Sequence, residues 1–174
     1  MAEPSLALRG IALAPGIALA RALVVRNVPF EATGLPGGDP DQERTRLHRA
    51  RDEAREELLA LRQRATQTLG EEKAAVFDAH VLMLEDPLLM GGMEEEIARG
   101  LSAPDAVVRK TGELRRLFED LPDPYLRERG ADVDDVGHRL FRRLLGIPSL
   151  ELADFSDPRV VVAEELAPSE TVGL

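Results

Sequence analysis

Between Gly70 and Leu89 the chain alternates apolar and acidic residues at helical intervals. Phe77, Val81, Leu84 and Leu88 recur at steps of three and four and define one apolar face. Glu71, Asp78, Leu82, Glu85 and Leu89 fall on the opposite side, which is acidic yet carries large apolar residues. A merely solvated face has no need of them. Leu and Met inside an acidic rim suit the docking of a basic partner. Two acids open this stretch, where they complement the positive end of a helix dipole, and Asp86-Pro87 breaks it.

The same periodicity brackets this stretch on both sides. From Asp41 to Leu69, the residues Leu47, Ala50, Ala54, Leu58, Leu61 and Ala65 form a stripe opposite the solvated Arg49, Asp52, Glu53 and Glu56. The spacing predicts a helix of roughly 40 Å ended by Gly70. After Pro87 a second piece of the central helix runs to Arg99, weakened by Gly91-Gly92. Ser102-Ala-Pro-Asp is a helix start, followed by a core stripe of Val107, Leu114, Leu117 and Phe118. Leu121-Pro-Asp-Pro breaks the chain again. Tyr125 to Leu145 forms the fourth helix, with Val133, Val136, Leu140 and Leu144 on one stripe, closed by Gly146-Ile-Pro. Four helices with short connections imply a bundle or two stacked hairpins.

The ends read differently. Pro15-Gly16 is a turn, and Leu23, Val24 and Val25 favour a strand. Pro158 to Ala163 reads as a buried strand, and Pro168-Ser169-Glu170-Thr171 as a helix start. Two strands cannot bury their faces alone. The ends are therefore expected to be parts of one incomplete α/β unit, interrupted by the helices and paired with each other. The boundaries are 1–38 for the first strands and linker, 39–146 for the helical part, and 147–174 for the return into the α/β unit.

Composition narrows the chemistry. The 174 residues carry a formal charge of -10, which disfavours nucleic acid and anionic membranes and favours a basic protein. There is no cysteine, and no apolar run is long enough to span a bilayer, so a cytoplasmic location is expected. His48 and His138, each beside an arginine, read as surface residues; His80, near the core edge, reads as a hydrogen-bonded structural histidine. No two histidines have a metal-ligand spacing on one helix. Gly34 to Gly38 lacks the Lys-Ser/Thr of a phosphate loop. The residues by themselves show no active site.

Four ordered segments resemble a known family. The Gly70–Leu89 stretch is similar to the partner-binding helix pair of enzyme I of the bacterial phosphotransferase system, the phosphoenolpyruvate–protein phosphotransferase. Ile11-Ala-Leu-Ala-Pro-Gly-Ile-Ala resembles its opening strand and turn. Tyr125-Leu-Arg-Glu-Arg-Gly-Ala-Asp-Val-Asp-Asp-Val-Gly resembles its Tyr-Leu-x-Glu-Arg-x-x-Asp-x-x-Asp-x-Gly helix. Val160 to Thr171 resembles the strand and Pro-Ser-x-Thr turn before its active site. The resemblance implies a mainly α chain, a four-helix subdomain of two hairpins that binds the carrier HPr, inserted in an incomplete α/β phosphohistidine domain.

It further implies phosphoryl transfer from phosphoenolpyruvate through an enzyme histidine to HPr. That histidine belongs to a Gly-Gly-x-x-Ser-His motif expected beyond Leu174, so no catalytic residue and no cofactor are assigned here, and the chain alone is expected to be inactive. Mg²⁺ and homodimerisation are expected of a separate C-terminal barrel. Glu71, Glu72, Leu82, Met83, Asp86, Leu89, Tyr125 and Arg129 match HPr-facing positions, and Thr171 matches a threonine that orients the active-site imidazole. Pro87-Leu88 stands where relatives often carry acids. A helical adaptor for another basic protein, a nitrogen-regulatory paralogue, a fused multiphosphoryl protein and a dikinase-type protein are the competing readings. The Tyr125–Leu140 helix, as part of the HPr-binding insertion, argues against the last.

Overall fold

The computed structural model describes residues 11, 14–25, 28–147, 157–164 and 166. In chain order the elements are β1 (Arg21–Val25), α1 (Pro40–Leu69), α2 (Glu71–Glu85), α3 (Pro87–Ala98), α4 (Ala103–Glu119), α5 (Pro124–Leu144) and β2 (Arg159–Ala163). The described residues are thus mainly helical, with one small parallel sheet.

Helix α1 starts where Asp39 accepts the N–H groups of Asp41 and Gln42, with Pro40 at the first helical position. Its whole expected stripe, Leu47 to Ala65, is buried. Gly70, at φ 89°, turns the chain back into α2. Arg62 then meets Glu71 and Asp78, and Arg55 meets Glu85, so α2 runs antiparallel to α1. A second antiparallel hairpin joins α4 to α5, where Arg115 faces Asp134 and Thr111 faces Gly137. A Cβ on Gly137 would lie 2.4 Å from Thr111 Oγ1, so only glycine permits this approach. These two hairpins are the expected pair.

The central helix is two helices. Asp86 is extended (φ -71°, ψ 123°), closes α2, and caps α3 by accepting the Leu88 N–H at 2.7 Å. The restart shifts the helical phase. Leu88, expected in the core, is 62% exposed, whereas Leu89, expected on the docking side, is 3% exposed. Gly92 does not break α3; it makes room for the Lys110 stem, whose Cε would lie 2.2 Å from an added Cβ. Leu117 also departs from expectation. Ala103, Val107, Thr111 and Leu114 are the buried stripe of α4, and Leu117 falls outside it and is exposed.

Helix α4 is capped from two directions. Ser102 accepts the Asp105 N–H, and the buried Glu43 of α1 accepts the Ala103 N–H at 2.8 Å. The Asp105 carboxylate takes the N–H and hydroxyl of Thr33, each at 2.7 Å, tying the incoming linker to the helices.

The two strands pair in parallel, Leu23 opposite Val161. The helices are therefore an insertion between neighbouring strands, and the expected meeting of the two ends is present. The expectation that β2 is buried is corrected: its residues are half-buried, with Val162 exposed. Each strand has a single neighbour among the described residues.

Candidate functional site

Helix α2 has three sides. Ala74, Phe77 and Leu84 enter the core. Glu71, Asp78 and Glu85 turn towards α1, where Arg62 pairs with the first two at 2.6 and 2.9 Å and Arg55 with the third at 2.9 Å. The carboxylate of Asp78, then that of Glu71, raises the already high pKa of Arg62. The acidic rim expected from the sequence is thus largely neutralised within the molecule. Glu72 is exposed and has no ion-pair partner among the described residues. Leu82 is 67% exposed, and Met83 beside it is half-buried against the core. On the helical wheel Met83 stands between Leu82 and His80, so the open side of α2 continues towards α5.

His80 makes the junction with α5. It is 1% exposed. Its Nε2 faces Asp132 Oδ1 at 3.4 Å and its Nδ1 faces Asp135 Oδ2 at 3.5 Å. Phe77 meets the imidazole edge-on, with centroids 6.1 Å apart. The expected structural role is therefore observed, with Asp132 as the hydrogen-bond partner and the Asp135 carboxylate close by. Asp132 Oδ2 accepts a hydrogen bond from Arg129 Nη1 at 3.0 Å. The His80 hydrogen bond, opposed by burial and aided by Arg129, lowers the Asp132 pKa below its ordinary value.

Of the eight expected partner-facing residues, the structure gathers Glu72, Leu82 and Met83 on the open side of α2, with Arg129 on the adjoining helix. Asp86 lies at the α2–α3 break as an exposed cap. Glu71 is exposed but held by Arg62. Leu89 is a core residue, and this corrects its place on a docking surface. Tyr125 lies in the first turn of α5, and its side chain lies outside the described residues, as does Thr171.

The other two histidines are elsewhere. His48 Nε2 lies 3.2 Å from Glu94 Oε1 on a half-exposed surface. His138, expected to be wet, stacks on Phe30 with ring centroids 4.1 Å apart. Phe30 and His138 line a cavity of about 580 Å³ together with Arg109, Arg115 and Arg116 of α4. No group of three or more His, Asp or Glu residues that could hold a metal ion occurs among the described residues. None of the described helices is long and apolar enough to cross a membrane.

Residues 9–129 match the family described as PEP-utilising enzyme, N-terminal. The chain belongs to that family. It is 38% identical over 170 residues to the phosphoenolpyruvate-protein phosphotransferase of Listeria innocua, covering 96% of this chain and 29% of that protein. The corresponding protein of Haemophilus influenzae is 34% identical over 172 residues, at 95% and 29% coverage. This family member thus spans 29% of the length of those relatives. A solution structure of Enzyme I (nEIt) superposes with a TM-score of 0.81 at 32% identity, covering 92% of this chain and 66% of that one. The N-terminal domain of Enzyme 1 - Nitrogen gives 0.70 at 29% identity, with the same coverage. The family resemblance read from the four segments holds.

The sequence reading missed Asp132 and Asp135. Their spacing of three on α5 is a signal for two carboxylates aimed at one neighbouring group. It does not say which group, because His80 is 52 residues away.

Proposed function

We propose that the chain is the carrier-docking part of a phosphoenolpyruvate–protein phosphotransferase, and that its open α2 side, with Arg129 of α5, receives the carrier HPr of the sugar phosphotransferase system. The observation that carries this reading is Leu82. A leucine two-thirds exposed in the last turn of α2, beside Met83, is an anchor without a pocket of its own. The net charge of -10 favours a basic partner and steers it from a distance. The relatives' shared name supplies the reaction. HPr would receive a phosphoryl group from a histidine that is none of His48, His80 and His138, since their surroundings are a surface contact with Glu94, a buried clamp and a ring stack.

Mg²⁺ finds no fitting donor set among the described residues. We assign it, with homodimerisation, to other parts of the enzyme, and the enzyme to the cytoplasm. A nitrogen-regulatory paralogue is the second reading, favoured by the likeness to the Enzyme 1 - Nitrogen domain but less closely, at a TM-score of 0.70 against 0.81.

The test is a titration of isotope-labelled HPr with the protein at two salt concentrations, with the nitrogen-system carrier in parallel. Binding of HPr that weakens with salt supports the reading. No shift change at millimolar protein overturns it, and preference for the other carrier selects the second reading.

A further inference from the structure

We infer that His80 is a positioning residue for Arg129, acting through Asp132 to hold that guanidinium in place against α2; the inference rests on the docking role just proposed. Arg129 and Asp132 sit one turn apart on α5, and a pair of this kind on one helix is a loose tether. Here the carboxylate is held from both sides. Its Oδ2 accepts from Arg129 at 3.0 Å, while its Oδ1 lies 3.4 Å from Nε2 of a buried ring on the other helix. The ring itself has little freedom, because Asp135 meets its second nitrogen and Phe77 its edge.

A packing role alone would be met by leucine at position 80, which needs no partner in the interior. The chain instead has an imidazole at 1% exposure, and the polar network it starts reaches the half-exposed side chain of Arg129. Arginine is rich in rotamers, and a partner that meets it already ordered is spared the cost of immobilising it. His80 would therefore tune the docking surface without touching the partner.

The variants His80→Gln, His80→Asn and His80→Leu separate positioning from packing. A glutamine amide reaches roughly the place of Nε2 and can donate to Asp132; an asparagine amide reaches only roughly that of Nδ1. The first readout is the side-chain ¹⁵N spectrum of Arg129 in the free protein at one pH and salt concentration. A distinct, exchange-protected Nη–H signal is expected in the wild type and in H80Q, and its loss in H80N and H80L. The second is HPr affinity, expected to fall roughly three- to tenfold in H80N and H80L. Adding Arg129→Ala to H80L should then cost much less than it does alone.

An unchanged Arg129 signal in H80N and H80L, or fully additive losses, overturns the inference. Urea melts control for folding, and if H80L does not fold, Asp132→Asn carries the same two readouts. Should the wild type not bind HPr, the docking reading fails while the Arg129 spectra of the free protein still decide the role of His80.

Discussion

Truncating Leu82 and Leu89 in turn should produce opposite phenotypes, although the two lie seven residues apart in a stretch that reads as one amphipathic run. Leu89 is 3% exposed and touches the core through α3. Leu89→Ala removes a buried side chain and leaves a cavity, a loss of about 2–5 kcal/mol. In a chain of this size that is a fall in Tm of roughly 5–15 °C. Leu82 is 67% exposed, so Leu82→Ala should alter stability by no more than about 0.5 kcal/mol. Docking is a different matter. Fully burying a leucine is worth about 1.5–3 kcal/mol, and two-thirds of that remains for a partner to gain, about 1–2 kcal/mol. The affinity for HPr should fall roughly 5- to 30-fold. Urea denaturation measures the first quantity and the HPr titration the second. Loss of binding with unchanged stability in Leu89→Ala would mean that the helical phase runs through Pro87 unbroken. The description of Asp86 as a double cap would then be wrong.

Four further outcomes are expected. Glu72→Lys should flatten the salt dependence of HPr association, because this carboxylate is exposed and screened beyond about 10 Å; Glu71→Ala should change it much less, since Arg62 already neutralises that charge. Gly137→Ala should destabilise by about 1–3 kcal/mol through the clash with Thr111, and Thr111→Ala should recover part of the loss, as read in a double-mutant urea series. Glu57→Gln should cost about 3–5 kcal/mol, because it leaves the buried Arg139 and its neighbour Arg143 without their carboxylate. Asp132, with its pKa lowered in the fold, contributes stability that is complete above its ordinary value of 3.8 and is lost as pH falls through the folded value. Asp132→Asn should therefore flatten the stability profile below about pH 4, and a profile as steep as the wild type there would count against the cause assigned.

Periodicity made most of the architecture legible. The α1 stripe and the Val133, Val136 and Leu140 stripe of α5 are buried as their spacing requires, because each helix is uninterrupted and packs along its length. The pairing of β1 with β2 also followed from the chain, since β-branched runs at the two ends had no other partner in view. Three features did not. Continuing one wheel across Asp86-Pro87 exchanged Leu88 with Leu89, because a restarted helix keeps no phase memory. The acidic rim was read as charge without its counter-charge, because Arg62 lies 9 and 16 residues from its partners and on another helix. His138 was placed in water because the ring that covers it, Phe30, comes from the linker, where no period exists to be read.

The restart at Asp86 also explains why an exposed leucine can persist beside a well-filled core. Had α2 and α3 formed one straight helix, Leu82 and Leu89 would share a face, as residues seven apart do. Burying one would then bury the other, or exposing one would strip the core. The extended Asp86 residue uncouples them: its carboxylate restores the donor bond that α3 lacks at Leu88, and Pro87 needs no donor. Leu89 can then complete the core with Met90 and Met93, while Leu82 stays outside next to Met83. Stability and the proposed docking thus fall on separate residues of one short stretch, and the break that separates them is written in two residues, Asp86 and Pro87.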